Sequence, residues 1–137
     1  MTGPAGRDVN MNRVPVHLVV GPPGSGKSAL IARLLAQRPG WLGFVNRRPE
    51  DAPEAVRLTP RGCPCCTARV ALQVALVRAL RELRPQRALI EIEDAEHATR
   101  VIRVLGELPF SQAVRTGPTL DMPGNDKVAP EALEVSQ

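Results

Sequence analysis

Two short stretches carry residue types that do chemistry. The first, "GPPGSGKS" from Gly21 to Ser28, matches the phosphate-loop pattern G-x-x-x-x-G-K-[ST]. Gly21, Gly24 and Gly26 allow a tight backbone turn that brings amide groups against phosphate oxygens. Ser25 and Ala29 complete the run expected to touch a nucleotide. The N-terminus of the helix that should follow adds the positive end of its dipole. Lys27 is placed to reach the β- and γ-phosphates, and Ser28 to offer its hydroxyl to Mg²⁺. Such a site also needs an acid where a strand ends. "LIEIED" supplies Glu91, Glu93 and Asp94, and Glu91 is the first choice for magnesium and, with Lys27, for catalysis. The plain alternative is a glycine-rich turn that binds nothing, beside a solvated carboxylate. A strand before the match and a helix after it weigh against that alternative.

The second stretch, "GCPCC", holds every cysteine of the chain: Cys63, Cys65 and Cys66. Thiolates are soft ligands suited to Zn²⁺ and related ions. Three of them in four positions supply two or three ligands but no closed tetrahedral cage. A fourth ligand would come from water or a partner, which suits a metal that must be released. Placement at a helix start would favour the thiolate form. Two other uses stay open: small buried side chains packing the helix start, or a vicinal Cys65–Cys66 disulfide, although C-x-x-C is lacking.

The elements that must position these groups follow from periodicity. "VPVHLVVG" (14–21), "WLGFVN" (41–46) and "RALIEI" (87–92) read as short buried strands. Helices are expected over 26–37, about 67–83 and about 95–108. The second is carried by Leu72, Ala75, Leu76, Ala79, Leu80 and Leu83 and capped by Cys66 or Thr67. The third is carried by Ala98, Val101, Ile102, Leu105 and Leu108. Residues 1–13 read as a loose arm, 47–62 as a loop, and 111–137 as an irregular or disordered tail. The expected fold is therefore α/β: a phosphate-loop, three-layer βαβ domain over 14–110, with a small parallel sheet of about three strands. So small a sheet has exposed edges, which suggests a homodimer or a partner chain.

Composition narrows the partners. The 137 residues include 43% apolar but only 2% aromatic, so the core must be aliphatic. The net charge of +4 rests on arginine, Lys27 and Lys127 being the only lysines, and no basic block with interleaved aromatics points to nucleic acid. No apolar run approaches a membrane span, and no signal pattern opens the chain, so a cytoplasmic location is expected.

The phosphate loop, "GCPCC", a leucine-rich helix and "LIEI", in that order, resemble the CobW-like family of GTP-binding metallochaperones. The likeness covers about residues 14–108. In the family's loop, G-x-x-G-x-G-K-[ST], the last six positions read here Pro23-Gly24-Ser25-Gly26-Lys27-Ser28. Its second strand, ending in Asn-Glu, is similar to "GFVN" with Asn46, where Arg47 replaces the acid. The resemblance implies GTP (or ATP) and Mg²⁺ as cofactors, and Zn²⁺ or Co²⁺ as cargo held by Cys63, Cys65 and Cys66. It also implies a client metalloprotein as recipient. Four departures accompany it. Asp94 stands where the family has a glycine that senses the γ-phosphate. The loop after Asn46 is short, with Glu50 or Asp51 in place of its acid. No guanine-reading [NST]-K-x-D is found, "NDKVAP" with Lys127 differing in order. The family's C-terminal domain has no counterpart, so the fold is expected to be incomplete relative to a full GTPase. GTP hydrolysis is accordingly expected to be weak or partner-dependent. A non-catalytic regulator is the main alternative, and a small phosphate-loop kinase a lesser one.

Overall fold

The computed structural model describes residues 13–60, 68–107 and 110–134. Six strands form one parallel sheet: β1 (Val14–Val20), β2 (Trp41–Val45), β3 (Val56–Leu58), β4 (Arg87–Ile92), β5 (Val114–Thr116) and β6 (Leu120–Asp121). Their order is β3-β2-β4-β1-β5, with β6 also on β1. The helices are α1 (Lys27–Gln37), α2 (Arg69–Leu83), α3 (Ala95–Leu105), α4 (Phe110–Ala113) and α5 (Pro130–Glu134).

The α/β parallel architecture is as expected, but the sheet is twice the expected size. β3 lies inside the segment read as a loop, and β5 and β6 lie inside the segment read as an irregular tail. Each is only two or three residues long and bounded by proline or glycine, too short to show a period of two. β5 pairs with the first half of β1 (Val14 with Val114) and β6 with the second half (Val19 with Leu120). That edge of β1 is therefore covered, and the other edge of the sheet is the three-residue β3.

The sheet is buried on both faces. β1, β2 and β4 are almost wholly buried, as expected for parallel strands under helices. On one face α1 inserts Leu30, Ile31, Leu34 and Leu35 against Val19, Trp41, Val45 and Leu89. Here α1 sits directly on β2, and a Cβ at Gly43 would come within 2.5 Å of Ile31 Cγ2. Leu133 of α5 joins the same cluster, and the Arg38 guanidinium donates to both oxygens of Glu134 at 2.9 and 3.1 Å, tying α5 to the end of α1. The opposite face packs Val16, Leu18, Val20, Phe44 and Ile90 under Leu76 and Ala79 of α2, Val101 and Leu105 of α3, and Phe110. Ile102, expected on the buried face of α3, is exposed, and Val104 takes its place.

α2 begins at Arg69, with Ala68 at the capping position and no side-chain cap among the described residues. The expected caps Cys66 and Thr67, and the metal candidates Cys63, Cys65 and Cys66, lie outside the described residues. Among those described, no helix is long and apolar enough to cross a membrane.

Candidate functional site

The chain leaves β1 toward α1, on one face and toward β2. It leaves β4 toward α3, on the other face and toward β5. Loops that diverge beyond two neighbouring strands open a crevice at their carboxyl ends, where ligands of parallel sheets bind. The Gly21–Ser28 loop and Glu91 stand at that crevice, because β1 and β4 are paired through Val19–Glu91 and Val20–Ile92.

The loop is shaped by its glycines. Gly24 (φ +83°) and Gly26 (φ +91°) lie in the left-handed region, which disfavours any side chain, and Gly26 caps α1. Gly21 serves a different need. A Cβ there would meet Ser25 Oγ at 2.6 Å and Met122 Cβ at 2.8 Å, so its bareness lets the end of β6 approach the loop.

Four polar side chains converge beneath the loop: Lys27, Ser28, Asn46 and Glu91. Glu91, 8% exposed, accepts from Ser28 Oγ at 2.6 Å, from the Asn46 backbone N–H at 3.0 Å and from Asn46 Nδ2 at 3.4 Å. Lys27, 3% exposed, donates from Nζ to the Gly21 and Pro22 carbonyls at 2.6 and 2.9 Å and lies 3.8 Å from Glu91 Oε2. Removing two opposite charges from water is costly, and this set of donors and acceptors offsets the cost. Above them is a cavity of about 440 Å³. Its walls come from the loop and α1 start (Pro23, Gly24, Gly26 to Ala29) and, opposite, from Asn46, Arg47, Glu91 and Glu93.

These residues fit a polyphosphate with a hard divalent cation. The cavity is floored by a helix N-terminus and a glycine loop, which suits phosphate. Ser25 Oγ is buried and has no hydrogen-bond partner among the described residues. Ser28 and Glu91 bring oxygen donors together, the ligand type that Mg²⁺ prefers.

Of the three acids at the end of β4, Glu91 is in the centre and Glu93 lines the cavity. Asp94 does neither. Its carboxylate caps α3, accepting from the His97 backbone N–H at 2.8 Å and contacting His97 Nδ1. These bonds, the backbone one foremost, hold Asp94 below the usual carboxylate value of 3.8. Glu50, Asp51 and Lys127 are absent from the cavity wall. Among the described residues, no three His, Cys, Asp or Glu side chains gather as a metal-binding group.

A second polar centre, around His17 and Arg87, has no signature in the sequence. His17, fully buried, holds Pro118 O from Nδ1 at 2.8 Å, and its Nε2 lies 2.9 Å from Arg87 Nη1. A neutral ring protonated on Nδ1 satisfies both contacts. Arg87, 4% exposed, also stacks over Trp41, 5.6 Å from the ring centroid. Burial, then the Arg87 and Arg115 charges, push the His17 pKa down against the opposing Pro118 bond. A lone histidine in a β-branched run and an arginine at a strand start carry no signal of mutual contact across 70 residues.

The fold and cavity together define a parallel α/β protein, compatible with a phosphate-loop three-layer fold, whose cavity lies at the carboxyl ends of its strands. Comparison with curated proteins finds the zinc chaperone YeiR of Escherichia coli (strain K12), 32% identical over 101 residues. The match takes in 65% of this chain, which spans 31% of the relative's length. No family model matches the chain, and no solved structure gives a significant match.

Proposed function

We propose that the chain is a CobW-like protein that binds a nucleoside triphosphate, GTP or ATP, and handles a transition metal. The observation that carries this reading is the contact of Ser28 Oγ with Glu91 beneath a glycine loop, in a chain similar to a zinc chaperone. Amides of Gly24, Ser25, Gly26 and Ala29 hold the phosphates, and Lys27 lends its charge to them. Ser28 and Glu91 hold Mg²⁺, which when bound neutralises phosphate charge. Cys63, Cys65 and Cys66 take up Zn²⁺ or Co²⁺ as cargo, destined for a client metalloprotein. A cytoplasmic location and a homodimer belong to the same proposal.

Two measurements test it. Equilibrium dialysis should show Zn²⁺ or Co²⁺ retained by the wild type and lost on Cys→Ser substitution at all three positions. Failure of the wild type to retain either metal would remove the metal half of the proposal. Titration with Mg·GTP and Mg·ATP should show binding lost on Lys27→Ala.

A binding-only regulator is the second reading, and Asp94 favours it. A carboxylate locked onto its own helix cap offers no donor to a γ-phosphate. Sustained phosphate release by the wild type, abolished by Lys27→Ala, would rule it out in favour of a slow hydrolase.

A further inference from the structure

Arg47 and Arg48 are consecutive, yet their guanidinium groups have different surroundings. Arg48 is committed to its own loop: Nε donates to Val56 O at 2.9 Å, and Nη2 to Ala52 O at 2.6 Å and Pro53 O at 3.1 Å. Arg47 is exposed, lines the cavity, and has no hydrogen-bond or ion-pair partner among the described residues. Its backbone is held from both sides. Before it, Asn46 is anchored to Glu91, and after it, Arg48 clamps residues 52–56.

We propose that Arg47 is the second cation of the nucleotide site and distinguishes nucleoside triphosphate from diphosphate by gripping the terminal phosphate. The inference rests on the nucleotide reading above. Position supports it first. Asn46 N–H and Ser28 Oγ share the same oxygen of Glu91, so Arg47 adjoins the Lys27–Ser28 end of the loop. That end of a phosphate loop meets the β- and γ-phosphates. Charge supports it next. Among the described residues, Lys27 and Arg47 are the cations of the cavity wall and Glu91 and Glu93 its carboxylates, so that part of the wall is neutral only with Arg47 counted. Without it, a net negative wall would face a polyanion. Geometry is the third support, because a guanidinium fork matches two oxygens of one phosphate.

The test is calorimetric titration of the full chain with Mg·GTP, Mg·GDP, Mg·ATP and Mg·ADP. Wild type is compared with Arg47→Ala, Arg47→Lys and Glu93→Gln. Arg47→Ala is expected to weaken triphosphate binding about tenfold or more, the worth of a charge-assisted bond to phosphate, and diphosphate binding less than about twofold by the same reasoning. Arg47→Lys should recover part of the loss, and Glu93→Gln should tighten both ligands through charge alone. An unchanged melting midpoint for Arg47→Ala, an exposed position, would show that the fold is intact. Equal loss for tri- and diphosphate, or no loss for either, would overturn the assignment while leaving the nucleotide site standing. A wild type that binds none of the four would overturn the nucleotide reading and this one with it.

Discussion

The pairing of β1 and β4 has a polar centre at each end, and the two are built alike but used differently. Toward the carboxyl ends are Lys27 and Glu91, and nearer the amino ends, from mid-β1 and the start of β4, are His17 and Arg87, all four nearly inaccessible to solvent. At the His17 end the groups are spent on holding the chain together. They join β1, β4 and the turn between β5 and β6, with Trp41 closing over Arg87. At the Lys27 end the same kind of burial is open on one side to a cavity of about 440 Å³. Burial of charged side chains does not by itself mark a site. What marks one is burial beside space, with backbone shaped by left-handed glycines.

Substitutions at the two ends should therefore fail differently, and the largest contrast is between Lys27→Ala and Arg87→Ala. Lys27→Ala is expected to weaken nucleotide binding on the order of 100-fold, since a charged donor to phosphate is lost, while the fold survives. Arg87→Ala should leave nucleotide affinity within about twofold but cost roughly 2–3 kcal/mol of stability, from an unpaired His17 Nε2 and lost packing on Trp41. Parallel titrations and denaturant melts check both. Arg87→Ala abolishing binding without loss of stability would break the comparison.

Smaller probes follow. Gly117→Ala places a Cβ against the His17 ring and should cost about 1–3 kcal/mol by overpacking, with no effect on nucleotide. Gly43→Ala, driven into Ile31, should cost a similar amount by the same mechanism. Acid should weaken the His17 end selectively. The unfolded chain protonates His17 near its ordinary value of 6.5, whereas burial and the flanking Arg87 and Arg115 keep the folded ring neutral to lower pH. Stability should then be insensitive to this group above pH 6.5. It should fall below that value with a slope of up to about 1.4 kcal/mol per pH unit. A His17→Gln variant should lack that slope in melts taken from pH 7.5 to 5. Asp94→Ala gives the smallest effect, about 1 kcal/mol for a lost helix cap, with triphosphate affinity unchanged. A large gain in affinity there would mean that Asp94 faces the nucleotide after all.

What could be read from the sequence divides along the same line. The Lys27 end was legible because its motif is local: eight consecutive residues define the loop, and a strand-end acid at Glu91 is a short step away. Its remaining wall was only half visible. Asn46 entered by resemblance alone, and Arg47 as a departure from a pattern, whereas the structure ties one to Glu91 and leaves the other free. The three central strands and three helices were also legible, each long enough to show its period. β3, β5 and β6 were not, because two or three residues between prolines and glycines carry no period. Their pairing is imposed by β1 and β2 rather than by their own propensity. The His17 end was illegible for a related reason: its contacts join residues 70 and 101 positions apart. Asp94 shows the limit of position matching, since its side chain answers to its own helix.

The proposed function implies that a nucleotide at the phosphate loop and a metal at the cysteines influence each other's binding. Calorimetric titration of Zn²⁺ in the presence and absence of saturating Mg·GTP, and of Mg·GTP with and without Zn²⁺, tests it most directly. Coupling predicts that each ligand changes the other's affinity by the same factor, about fivefold or more. That factor should vanish when Cys63, Cys65 and Cys66 are replaced by serine. Two ligands that bind with affinities indifferent to each other would contradict the claim.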